Sequence, residues 1–438
     1  MNPDDRGELL RAGVFHTPRN PFKDDAALEA LEDGALLIRD GKILAAGDYS
    51  ALHASHRGVP VTDLRGGFLL PGFIDTHIHF PQLRVLGGLG CTLLDWLETV
   101  ALPEEARMAG HAYACETARR FVHTLAAHGT TTALVFGAHF SDATAALFEA
   151  GSAAGLRIVA GLVLSDRRLR PELHQTPERA YRESKDLIQR FHGQDRLLYA
   201  VTPRFALSAS EAILEVCQTL LRENPGVRFQ THINENAEEI AEVARLFPWA
   251  DDYLNVYEKF QLIGSRSVLA HNVHALDSTL ARLASSGTSV AHCPCSNAAL
   301  GNGIMPLRKH LAAGVKVALG TDVGGGTGFG MLKESLQAYL LQRLLPDGVM
   351  LSPAHLLYLA TRAGAEALGL ADEIGDFTPG KSADFTYFKP PPDSPLAAVV
   401  EAAPDLSRIL AALFTLGGSE SVCEVRVAGA RVYGSPQP

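Results

Sequence analysis

From Phe73 onward the chain alternates short apolar, β-rich runs with helical patterns, and several of those runs end in a side chain that binds metals. Strands are predicted at 73–79, 131–136, 157–164, 197–204, 228–235, 267–272, 289–294 and 315–322. Eight strands with helices between them predict an α/β fold, a (β/α)8 TIM barrel. In that fold the functional end is the rim where the strands finish. His77-Ile78-His79 closes the first run, His232 lies in the fifth, His271 in the sixth and Asp322 ends the eighth. Residues two apart on a strand face the same side, so His77 and His79 aim together.

Helix starts are marked between these runs. Ser208-Ala209-Ser210-Glu211 is a capping box, and Thr176-Pro177 offers an N-cap followed by proline at the first helical position. The ends of the chain read differently. Leu36–Ala45 is a hairpin turning at Asp40-Gly41, and Glu424–Tyr433 is a second one. They predict a small β-sandwich domain built from both termini, with residues 1–70 and 373–438 flanking a barrel over 71–372. Pro390-Pro391-Pro392 reads as a stiff surface loop.

With 438 residues and 47% hydrophobic content, the chain can fill a large barrel core and a smaller one. No apolar run reaches the ~18 residues needed to span a membrane. A net charge of -10 argues against general affinity for nucleic acid or anionic membrane. The stretch Met1–Arg6 is unlike a secretory signal. Six cysteines show no disulfide framework, and Cys293-Pro294-Cys295 reads as two free thiols. The expectation is a soluble, cytoplasmic protein.

Three neutral histidines and a carboxylate suit zinc or iron(II), with a position left for water. Glu235, three residues past His232, is placed for general acid-base work. Asp322 suits either metal binding or proton transfer. Asp75 shares the parity of His77 and His79 and reads as a barrel-interior hydrogen-bonding group. His274 reads as a surface or helix-start residue, and His292 as pocket wall or core. Gly324–Gly330 lacks the Gly-Lys-Ser/Thr ending of a phosphate loop, so a flexible loop beside the site is expected.

Pro71-Gly72-Phe73-Ile74-Asp75-Thr76-His77-Ile78-His79, Gly320-Thr321-Asp322 and Gly380-Lys381-Ser382-Ala383-Asp384 resemble the amidohydrolase superfamily. The resemblance runs from about Gly34 to Gly434. His79-Phe80-Pro81-Gln82, Thr202-Pro203-Arg204-Phe205, His232-Ile233-Asn234-Glu235-Asn236 and His292-Cys293-Pro294-Cys295-Ser296-Asn297 are similar to the guanine deaminase branch. The resemblance implies hydrolytic deamination of guanine to xanthine and ammonia at one divalent ion, zinc ahead of iron. The fourth strand carries no lysine that could bridge two metals, in keeping with a single ion.

By the same resemblance His77, His79, His232 and Asp322 would hold the metal. His271 would ligate it or hydrogen-bond its water. Glu235 would pass a proton to the ring nitrogen, and Asp322 would help protonate the departing amine. Gln82 and Arg204 would read the purine edge, Phe205 would wall or stack on the ring, and His232, Glu235 and Asp322 would also touch substrate. A homodimer is implied by relatives alone. Cys295 and Thr327-Gly328-Phe329 depart from the expected pattern, which leaves another heterocycle (8-oxoguanine, a pterin, a triazine) as the alternative substrate.

Overall fold

The computed structural model describes residues 7–434, so Met1–Arg6 lie outside it. Eight strands build the barrel: Phe73–His79, Thr130–Phe136, Arg157–Gly161, Leu197–Pro203, Arg228–Ile233, Ser267–His271, Ser289–His292 and Lys316–Leu319. Each pairs in parallel with the next. Val163–Leu164 extends the third and pairs with the fourth. The seam between first and eighth is bridged by Thr76 Oγ1 donating to Leu319 O (2.8 Å), Asp322 N to His77 O (2.8 Å) and His79 N to Val323 O (2.9 Å).

All eight expected runs are strands, but the eighth stops at Leu319 rather than 322. Asp322 adopts a left-handed backbone (φ 49°), which takes Gly320-Thr321-Asp322 out of the ladder and onto the first strand.

The surrounding helices follow from their sequence period. In Pro177–Phe191 the buried residues Ala180, Ser184, Leu187, Ile188 and Phe191 recur every three or four positions, forming one stripe against the barrel. Thr176 caps this helix through Arg179 N, with Pro177 in the first turn, as expected. The box at Ser208 is misplaced by two residues. Ser208 ends a 3-10 turn, and Ser210 is the cap of Glu211–Glu223. Asp166 explains the shift, because its carboxylate accepts from both Ser210 N (2.8 Å) and Ser210 Oγ (2.5 Å).

Strands from both ends of the chain form a second sheet: Glu8–His16, Glu29–Arg39, Lys42–Asp48, Val61–Pro71, Phe385–Phe388, Val422–Val427 and Ala430–Gly434. The two layers expected of a sandwich are here one hydrogen-bonded sheet. It curls until the edge strand Lys42–Asp48 meets the lead into Phe385–Phe388, through Ile43 N to Lys381 O (2.9 Å) and Gly380 N to Ile43 O (2.7 Å). Leu10, Val14, Leu36, Ile43, Phe377 and Phe385 share its inner core. Asp40 and Gly41 both have positive φ (51° and 72°), as a tight hairpin between right-twisted strands requires. Among the described residues no helix is long and apolar enough to cross a membrane.

Candidate active site

The strand ends bring four donors to one point. One ligand atom each from His77, His79, His232 and Asp322 lies within 4.8 Å of the others, and all four side chains are buried. Asp322 Oδ1 is 3.2 Å from both His77 Nε2 and His79 Nε2, and His232 Nε2 is 3.2 Å from His79 Nε2. His271 Nε2 stands slightly back, 3.9 Å from Asp322 Oδ2 and 3.5 Å from Glu235 Oε2.

The backbone and a few side chains set the ring orientations. His232 Nδ1 donates to Arg204 O (2.5 Å) and His271 Nδ1 to Asn297 Oδ1 (3.0 Å). Both therefore turn an unprotonated Nε2 inward. Burial lowers the pKa of all four histidines, and the nearby imidazoles lower that of His232 further. Burial by itself would raise the Asp322 carboxyl, but His77 and His79 outweigh it and hold the group well below the usual carboxylate range. Neutral imidazoles around an ionised carboxylate fit a divalent cation. His77 Nε2 and His271 Nε2 are buried without a hydrogen-bond partner, which an ion or its water would supply. Cys293, read as a free thiol, also comes within 4.8 Å of His77 and His271.

A family model for the amidohydrolase family matches residues 68–432. The chain belongs to the amidohydrolase family. It is 58% identical over 432 residues to a probable guanine deaminase of Deinococcus radiodurans, covering 97% of this chain and 98% of that one. Its structure is similar to that of E. coli guanine deaminase (TM-score 0.94, 40% identity, 98% and 100% of the two chains). It is also similar to guanine deaminase from C. acetobutylicum with guanine bound in the active site (TM-score 0.90, 26% identity, 97% and 100%).

In this amidohydrolase the donor cluster opens on a small cavity. Its wall includes Gln82, Arg204, Phe205 and Glu235 together with His79, His232 and Asp322. Burial, then the charge of Asp322, raises the Glu235 carboxyl well above its usual range. Asn236 Nδ2 donates to Asn302 Oδ1 (2.9 Å), and Asn302 Nδ2 donates to Glu235 Oε1 (2.8 Å), fixing the carboxylate. Phe205 lies across from His232, with ring centroids 5.9 Å apart. Every site residue expected from the sequence is thus in or beside one pocket.

Other contributors were not expected. Leu93, Trp96, Leu97 and Leu300 supply the apolar wall. Glu105, buried on the short helix Leu102–Ala106, pairs with both Gln82 and Arg204. Asn297 and Asn302 orient His271 and Glu235. The run His292-Cys293-Pro294-Cys295-Ser296-Asn297 marks Asn297, but nothing local in the sequence marks the others.

The glycine-rich loop is packed rather than loose. Gly324, Gly325 and Gly326 are buried, and a Cβ at Gly326 would fall 1.9 Å from Thr321 O. The unexpected segment Thr327-Gly328-Phe329 leads away from the cavity, with Phe329 packed on Phe121 (5.6 Å). Cys295 lies outside the cavity wall, its backbone N–H bound by Glu334 Oε1 (2.8 Å). His274 is exposed, as expected. His292 is a buried core residue whose two ring nitrogens have no partner.

Proposed function

We propose that this chain is a guanine deaminase, hydrolysing guanine to xanthine and ammonia. One observation carries the reading: His79, His232 and Asp322 of the donor cluster and the polar pair Gln82 and Arg204 line the same small cavity. The names of the relatives and the guanine seated in the C. acetobutylicum protein support the same substrate.

His77, His79, His232 and Asp322 would hold one divalent ion, which the three imidazoles favour as zinc. When bound, such an ion lowers the pKa of water toward ~7. Arg204 donates to the exocyclic 6-oxo group through the guanidinium nitrogens that Glu105 does not use. Gln82 adds a second contact on that edge, and Phe205 walls the ring face. With the ring so held, its amino-bearing carbon meets the donor cluster. Glu235 takes a proton from the attacking water and delivers it to the adjacent ring nitrogen. His271 hydrogen-bonds the incoming oxygen, and the ionised Asp322 takes that oxygen's remaining proton and passes it to the leaving amine. A cytoplasmic location and a homodimer complete the proposal, and light scattering checks the second.

Ammonia release by metal-replete protein tests the reading, with guanine compared against adenine, 8-oxoguanine and pterins. Guanine preference with xanthine as product is expected, and Arg204→Gln should remove most of it. Activity confined to another ring would overturn the substrate.

A further inference from the structure

Glu105 is an ionised carboxylate with almost no solvent exposure (2%). Its Oε1 and Oε2 each accept from Arg204 Nη1 (2.7 Å), and Oε1 also accepts from Gln82 Nε2 (2.7 Å). His139 Nδ1 lies 3.3 Å from Oε2. Burial by itself would raise the Glu105 pKa, but the Arg204 guanidinium and then His139 outweigh it and hold the carboxyl well below its ordinary value.

An ionised carboxylate only accepts hydrogen bonds, so whatever meets it must donate. That condition fixes the Gln82 amide from both sides. Nε2 points to Glu105, and Oε1 accepts the Gly324 N–H (2.9 Å). Turning the amide over would set oxygen against oxygen and N–H against N–H. Gln82 then has an N–H left over, Arg204 has its remaining guanidinium N–H groups, and both residues line the cavity. The pair also cancels the charge of Arg204, leaving a donor-rich but neutral edge suited to a neutral ring.

We propose that Glu105 is a positioning residue for specificity: acting through Gln82 and Arg204, it makes the pocket accept a purine whose edge carries an oxo group and reject one that carries an amino group there. The inference rests on the guanine reading above. A site built to donate leaves its groups unpaired against a donor, and such mismatches discriminate far more strongly than a missing methylene does.

The test compares guanine with 2,6-diaminopurine, which keeps the 2-amino group and shape but replaces the 6-oxo group by an amino group. Wild-type protein should prefer guanine by at least about a hundredfold in kcat/KM. Glu105→Gln, whose amide both donates and accepts, should narrow that preference below about tenfold, mainly by raising the KM for guanine. Glu105→Asp should keep the preference at reduced kcat/KM. Competition by hypoxanthine and adenine reads the same edge difference as inhibition constants if the variants turn over slowly. Metal content and melting temperature accompany each measurement. An unchanged preference in folded Glu105→Gln would overturn the proposal. So would a wild-type preference under about tenfold, which needs no variant at all. Wild-type protein that leaves guanine untouched would instead sink the functional reading.

Discussion

Asp75 reaches across the barrel seam to Thr321, taking the backbone N–H on Oδ1 (3.0 Å) and the hydroxyl on Oδ2 (2.5 Å). The same Oδ1 accepts His77 N (3.2 Å). One carboxylate therefore fixes the backbone of two segments that present His77 and Asp322. Asp75→Ala leaves buried donors without partners and should destabilise the fold by about 2–4 kcal/mol. Metal affinity should fall with it. Urea unfolding together with metal titration checks both, and an unchanged midpoint with unchanged affinity would contradict the clamp.

Glu235→Gln keeps the size of the side chain and removes the proton carrier. Turnover should fall by about a thousandfold. Metal content and melting temperature should stay close to wild type, because Glu235 stands outside the four-donor cluster. A variant that still releases ammonia at a comparable rate would remove Glu235 from the mechanism.

Stripping the protein with a chelator should abolish activity and lower the melting temperature, since the site binds its ion only when folded. Adding back zinc should restore both. Full activity after metal analysis reads zero would refute the metal site.

His310 gives a pH prediction away from the donor cluster. Its Nε2 accepts from Asn272 Nδ2 (2.9 Å) and its Nδ1 donates to Pro306 O (2.9 Å), so the ring is neutral in the fold. Burial lowers its pKa from 6.5 to about 4. The unfolded chain therefore binds the proton more readily between these values. The contribution is full above pH 6.5 and is lost as pH falls toward about 4, on the order of 3 kcal/mol. His310→Gln should flatten that part of the stability profile in urea melts between pH 7 and pH 4.5. Parallel profiles for the two proteins would refute it.

The donor set was legible because barrel strands are short apolar runs and the fold puts function where they end. His77, His79, His232 and His271 lie on such runs, so local periodicity sufficed. Glu105 follows Glu104 in a helical stretch and locally resembles any solvated pair of glutamates. Only the packing of that helix over the cavity turns it inward. Asn302 reaches Glu235 from a loop that no pattern marks. The left-handed backbones of His271 (φ 73°) and Asp322 (φ 49°) are equally silent in sequence: Asp and His enter that region more readily than most residues, but nothing local singles out these two. The curled sheet was read as a sandwich because alternation gives the faces of a strand but not its partner.

The pairing of Val61–Pro71 with Phe385–Phe388 has a consequence for synthesis. On the ribosome the first of these strands emerges before the whole barrel and its partner after it. Through that interval one of its edges stays open, with its N–H and C=O groups unclaimed. The barrel must therefore take shape beside an unfinished sheet. A translation product that stops short of Phe385 would keep this open edge permanently, a template for misassembly between nascent chains.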